Sequence, residues 1–223
     1  MNQGGSWLAQ RIAKGDVFVP EEFSEEQRMI RDSVIEFCVK EVQEPIKKRG
    51  RELSASKDLP EIIALLEKAG EYGFCGVSIA EQYGGMDLDF NTGVLFAEAN
   101  AHGFSFATTL GCQTSIGSLP IVFYGNDEQK AKYLPGIASG QLKASYCLTE
   151  PGAGSDANSG KTTAVLTEDG ESYVINGQKM WITNGGFADV FIVFAKIDDD
   201  KNLSAFIVEK SYPGLSTGAE EEK

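Results

Sequence analysis

The sequence predicts an α+β protein in which helices come first and strands second. Up to about residue 140, apolar residues recur at three- and four-residue steps behind helix-capping signals. From Ala144 the chain changes to short runs rich in β-branched and aromatic residues, separated by turn dipeptides. The two patterns are segregated instead of alternating, which argues against a doubly wound parallel sheet and sets a boundary near Gly140.

Ser24 to Gln27 reads SEEQ, the spacing of a capping box: the serine oxygen accepts from an orphan N–H while the glutamine reaches back. Ile30, Val34, Phe37, Cys38 and Val42 then form an apolar stripe, with Arg31, Asp32, Glu36 and Lys40 mainly elsewhere around the wheel. A second helix is expected from about Asp58, with Pro60 tolerated in its first turn. It turns Ile62, Ile63, Leu65, Leu66 and Ala69 inward before Gly70 and Gly73 loosen it. QYGGMDLD reads as a loop. Helical signals follow in NTGVLFAEANAHG, FATTLGCQTSIGSLPIVFYG and NDEQKAKYLPGIASG, the last capped by Asn126 or Asp127. The small residues of the middle segment suit close backbone packing or a ligand channel. His102 reads as a helix-end or packing residue. The strand candidates are ASYCLT, TTAVLT, SYVING, MWITN, DVFIVFAKI and LSAFIVEK, and Lys161 and Lys179 read as solvated.

The 223 residues suit one large domain or two modest ones, and 42% hydrophobic with 24% charged residues is ordinary for a soluble globular chain. A net charge of −13 argues against a nucleic-acid partner, which requires a basic face to displace counterions. Cys38, Cys75, Cys112 and Cys147 occur singly, without the spacing of a zinc site, and are expected to be buried free thiols in a reducing, cytoplasmic setting. The opening MNQGGSWLAQRIAKGD lacks the apolar core of a signal peptide, and no stretch is long enough to be a transmembrane segment.

PGAGSDANSGKT, residues 151–162, half-matches two phosphate cradles. Gly152, Gly154 and Ala157 fit a dinucleotide fingerprint, but that loop must lead into a helix, and here a hairpin-like alternation follows. Gly154, Gly160, Lys161 and Thr162 approach a P-loop, but one residue too many separates the glycines. An ordinary glycine-rich connection remains as good a reading of this loop alone.

YCLTEPGAGSD together with INGQKMWITNGGFADVFIVFAK resembles the paired flavin-binding segments of the acyl-CoA dehydrogenase family. IAEQYGG and YGNDEQKAKYLPGIASG resemble that family's N-terminal helical domain, in the same order, and GGSWL with STGAEEEK resembles its long-chain bacterial branch. The resemblance implies an N-terminal extension over 1–22, a helical domain over 23–140, and an incomplete antiparallel β-barrel-like middle domain over 141–223. A C-terminal four-helix domain carrying the catalytic glutamate is absent from this sequence, so no catalytic residue is assigned. The expectation is a fragment of such an enzyme, inactive alone.

Carried over residue by residue, the resemblance implies an FAD site formed by Tyr146, Cys147, Leu148, Thr149, Glu150, Pro151, Gly152, Ala153, Gly154 and Ser155, with Trp181, Ile182 and Thr183 from the second segment. Tyr146 to Thr149 would be a strand, and Thr149 would meet the polar edge of the ring because a hydroxyl both donates and accepts. Gly152 and Gly154 would let the chain turn and approach closely. Ser155 would lie near the phosphates and the pantetheine arm of a fatty acyl-CoA substrate. Trp181 would lie against the ring, although read without the family it is a core aromatic. The implied reaction is oxidation of the thioester to trans-2-enoyl-CoA in fatty-acid β-oxidation. A glutamate would take the α-proton, a hydride would pass from the β-carbon to the flavin, and an electron-transfer flavoprotein would accept the electrons. The full-length protein would be a homo-oligomer. Gly111, Cys112 and Gln113 fall where some medium-chain relatives carry a glutamate closing the acyl pocket, which leaves room for a deeper one. Alternatives are an acyl-CoA oxidase or nitroalkane-oxidase-like flavoenzyme, and a non-catalytic binding module on the same scaffold.

Overall fold

A computed structural model describes residues 18–198 and 200–220. Most of the extension expected over 1–22, GGSWL included, lies outside them, as do the last three residues of STGAEEEK. Seven α-helices are followed by five strands among the described residues: α1 (Glu25–Phe37), α2 (Glu44–Arg49), α3 (Ala55–Glu71), α4 (Phe90–Asn100), α5 (Ser105–Thr114), α6 (Leu119–Tyr124), α7 (Asp127–Ala138), β1 (Ala144–Cys147), β2 (Thr163–Leu166), β3 (Tyr173–Asn176), β4 (Val190–Ile197) and β5 (Ser204–Glu209).

The capping box of α1 forms as the sequence indicates, with the Gln27 N–H donating to Ser24 and the Ser24 N–H to the Gln27 side chain. Between α1 and α2 the helix widens to π geometry over Cys38–Gln43. Pro45 explains part of this, since it cannot donate to the carbonyl four residues before it. Asn126, not Asp127, caps α7, again through a capping box with Gln129. α3 includes a helical turn from Ala55, but the backbone leaves helical geometry at Asp58, so the long helix expected from about Asp58 opens there, with Pro60 tolerated in its first turn. The long segment 104–125 is two helices, broken where Ser115 leaves helical geometry.

The main apolar core joins α1, α3, α4 and α5 through Val34, Phe37, Leu66, Phe96, Phe106 and Leu110, and a second cluster packs Leu134 and Ile137 of α7 onto Ala144, Val190 and Ile192 of the sheet. Gly70 permits a close helix crossing: a Cβ there would collide with the Ser139 carbonyl just after α7.

The sheet is mixed and open, which corrects the expectation of an antiparallel, barrel-like arrangement. β4 pairs antiparallel with β5 but parallel with both β1 and β2, and β2 pairs antiparallel with β3. Cys147 lies opposite Val193 and Thr163 opposite Lys196, so β1 and β2 run end to end along β4 as one interrupted strand. Residues 148–162 leave the sheet and re-enter it almost where they left. In the sequence such an excursion reads as an ordinary turn between two strands.

Candidate functional site

Two irregular segments meet at this interruption. The first is the excursion itself. β1 ends at Cys147, so Leu148 and Thr149 lie beyond the strand in which they were expected. Tyr146 is half-buried with its ring 4.9 Å from that of Phe194, and Cys147 is buried. Glu150 and Ala153 close a tight turn by exchanging N–H···O bonds of 3.0 and 3.1 Å, burying Ala153 and leaving Pro151, Gly152, Gly154 and Ser155 exposed.

The second segment links β3 to β4. MWITN is not a strand, contrary to expectation, but a series of turns in which Trp181 and Asn184 both adopt left-handed backbone, with φ of 59° and 64°. Asparagine tolerates this conformation; for tryptophan it is strained. The Trp181 side chain is not in a core either, since the residue is 58% exposed. Ile182, half-buried, packs against the cluster of Cys147, Ala188, Phe191 and Val193. The Thr183 carbonyl accepts from the Ser145 hydroxyl at 2.7 Å and from the Cys112 thiol at 3.8 Å. Asn184 is buried and its Nδ2 donates to the Thr109 and Ala144 carbonyls, tying this turn to α5 and β1, while its Oδ1 has no partner among the described residues.

The segments touch through backbone and side chain. The Met180 N–H donates to the Thr149 carbonyl at 2.9 Å. Lys179, expected to be solvated, is instead nearly buried, and its Nζ donates to the Leu148 carbonyl at 3.1 Å and to Glu150 Oε1 at 2.7 Å. Glu150 also accepts from the N–H groups of Lys161 and Thr162 and from the Thr162 hydroxyl. Burial alone would raise the Glu150 pKa, but these donors, Lys179 foremost, outweigh it and bring it down to about 2. The carboxylate is therefore ionised and fully occupied by protein donors. All four cysteines are buried free thiols, as expected. Burial pushes Cys112 up to about 12 and Cys147 to about 11. They are packing groups.

The glycines of the excursion show what the protein itself does not require. Neither Gly152 nor Gly154 has positive φ, so the turn does not demand them, which corrects one of the two roles expected of them. A Cβ on either would meet no protein atom within 4 Å. Their N–H groups and that of Ser155 have no protein acceptor among the described residues. The first loop thus carries bare backbone donors and the second an exposed, strained indole, features suited to an anionic group and to a flat ring. Sequence reasoning found these residues but missed Lys179, Asn184 and Ser145. The Asn184-Gly185 pair was a legible turn signal; nothing local marks Lys179 as buried.

A helical layer followed by an open mixed sheet, with two irregular loops meeting at an interrupted strand, defines a helical-plus-β scaffold with a candidate ligand edge. Residues 24–141 match the N-terminal domain of acyl-CoA dehydrogenase and residues 145–223 its middle domain, and the chain belongs to the acyl-CoA dehydrogenase family. It is 46% identical over 223 residues to a probable acyl-CoA dehydrogenase of Bacillus subtilis, covering 100% of this chain and 36% of that protein. It is 41% identical over 167 residues to the mitochondrial very long-chain specific acyl-CoA dehydrogenase of Rattus norvegicus, covering 71% of this chain and 26% of the relative. An acyl-CoA dehydrogenase from Bacillus anthracis, solved in complex with FAD, superposes with a TM-score of 0.91 at 49% identity, covering 99% of this chain and 37% of that one. The chain thus spans between about a quarter and somewhat over a third of the length of these relatives.

Proposed function

We propose that this chain supplies part of the FAD site of an acyl-CoA dehydrogenase that oxidises fatty acyl-CoA thioesters to trans-2-enoyl-CoA and passes the electrons to an electron-transfer flavoprotein. The observation that carries the proposal is the pairing of the unpartnered N–H groups of Gly152, Gly154 and Ser155 with the exposed, left-handed Trp181, on two loops joined at Met180 and Thr149. The donor set fits the cofactor. Thr149, with a hydroxyl that donates and accepts, suits the polar edge of the ring; Trp181 offers a flat apolar face; and the glycine N–H groups suit phosphate oxygens. When bound, FAD supplies a two-electron acceptor for the substrate. Tyr146 to Thr149 and Trp181 to Thr183 would orient it, while Ser155 would contribute a hydroxyl to the thioester arm. Glu150 is not the proton acceptor in this reading, because its buried carboxylate is already taken up by four protein donors, which lower its affinity for a proton.

FAD titration of the wild-type protein and of Trp181→Ala tests the assignment. With 58% of Trp181 exposed, the substitution should leave apo stability within about 0.5 kcal/mol. It should weaken FAD binding about tenfold, the loss of one good stacking contact. A full-length protein that purifies colourless and takes up no FAD would sink the proposal. Peroxide formation without an electron-transfer partner would point to an oxidase on the same cradle.

A further inference from the structure

Lys179 and Glu150 form a buried ion pair that the reaction does not use. Their side chains are 10% and 6% exposed. A pair this buried gives little net stability, because desolvation of both charges consumes most of the attraction, and an apolar pair of the same volume would serve the core as well. What it does instead follows from where its bonds go. The Nζ of Lys179 reaches the Leu148 carbonyl and Glu150, both on the first loop. Glu150 in turn gathers the N–H groups of Lys161 and Thr162 and the Thr162 hydroxyl, at the point where the excursion re-enters the sheet. The exit and re-entry of residues 148–162 are thereby held together by one carboxylate, and the second loop is fastened to both by one ammonium.

The backbone cannot do this alone. Outside the sheet, the one backbone hydrogen bond between the two loops among the described residues is Met180 N–H to Thr149 carbonyl. That single bond ties the near side of Trp181 to the first loop at one point only, while on its far side Ile182, Thr183 and Asn184 are anchored to the sheet and α5 instead. Gly177 contributes on the approach side: a Cβ there would collide with the Thr162 side chain, so glycine lets the chain pass over Thr162 and deliver Lys179 to Glu150.

We propose that Lys179 and Glu150 are positioning residues that lock the two cofactor-facing loops in one relative orientation, before the cofactor arrives. The inference rests on the FAD reading above and deepens it. Both side chains are spent on protein partners, so they would act through Leu148, Thr149 and Trp181.

The informative variant is the neutral double replacement Glu150→Gln, Lys179→Met in the full-length protein, because it leaves no uncompensated buried charge and should fold even where a single replacement does not. The measurements are the apo melting temperature, the FAD dissociation constant by fluorescence titration, and the fine structure of the visible flavin band. The expected result is a melting temperature near wild type, FAD binding weakened about tenfold, and a blurred band showing a more solvated ring. Tyr133→Phe, which removes a hydrogen bond to Glu209 in another part of the fold, serves as the control and should leave FAD affinity and the band unchanged. If the double variant binds FAD with unaltered affinity and spectrum, the positioning role is overturned while the FAD site stands. If the wild-type protein itself binds no FAD, both readings fall together.

Discussion

Gln113 offers a demanding test of the fold, because one buried amide joins the helices to the sheet. It sits on α5 with 0% exposure. Its Nε2 donates to the Ile137 carbonyl at 3.1 Å and the Leu142 carbonyl at 2.8 Å, and its Oε1 accepts from the Ala144 N–H at 2.7 Å. It is thus fully engaged between α7 and β1. Gln113→Leu preserves volume and removes all three bonds. The Ile137 carbonyl retains the Gly140 N–H at 3.1 Å, so the cost falls on the Leu142 carbonyl and the Ala144 N–H. At about 1–3 kcal/mol for each stranded buried group, less the gain from an apolar side chain, the loss should be about 3 kcal/mol. Urea unfolding at constant m-value measures it, and a loss below about 1 kcal/mol would refute the reasoning. Gln113→Glu sharpens the test. Its carboxylate would face two carbonyl oxygens, so its folded-state pKa must lie above the unfolded value of about 4.3. The penalty is then least below that pH, where both states are protonated, and grows as pH rises through the folded value. A variant equally destabilised at low and neutral pH would contradict the geometry.

Two further predictions concern ionisable groups. The folded-state pKa of Glu150, about 2 against an ordinary 4.5, means stability that is present above 4.5 and lost as pH falls toward 2. The stability gap between wild type and Glu150→Gln should therefore narrow through that acid window, and a gap of constant width would count against the ion pair. The four thiols should be silent toward an aromatic disulfide reagent at neutral pH, since burial raises Cys38 and Cys147 to about 11 and Cys75 and Cys112 to about 12. All should react in denaturant, and a thiol that reacts in the native protein as fast as free cysteine would show that its packing is wrongly described.

What the sequence made legible was local. The caps at Ser24 and Asn126 and the stripe through Val34, Phe37, Cys38 and Val42 need only neighbours within a few residues, and each appears in place. The interrupted strand was not legible, because the proximity of Cys147 and Thr163 is created by β4, far along the chain. The segment MWITN has β-type composition, yet its backbone turns instead of extending, with Trp181 and Asn184 left-handed. Composition reports what a residue prefers; here tertiary context overrides it. Lys179 failed for the converse reason: lysine is rarely buried, and only the carboxylate of Glu150, brought from the other loop, makes it so.

The site also separates what the fold needs from what a ligand needs. The bases of both loops are fixed by buried polar bonds: Ser145 to Thr183, Asn184 to Thr109 and Ala144, and Lys179 to Leu148 and Glu150. Their tips have no such support, for Gly152 and Gly154 face open space and Trp181 stands exposed on a strained backbone. Strain of this kind costs on the order of 1–3 kcal/mol and persists where the surroundings over-determine it. Because Asn184 and Ile182 are anchored on the far side of Trp181 and Lys179 on the near side, the chain between them has little freedom to relax. Loops rigid at the base and bare at the tip lose little entropy when a ring is bound, which is the physical case for a preorganised flavin edge.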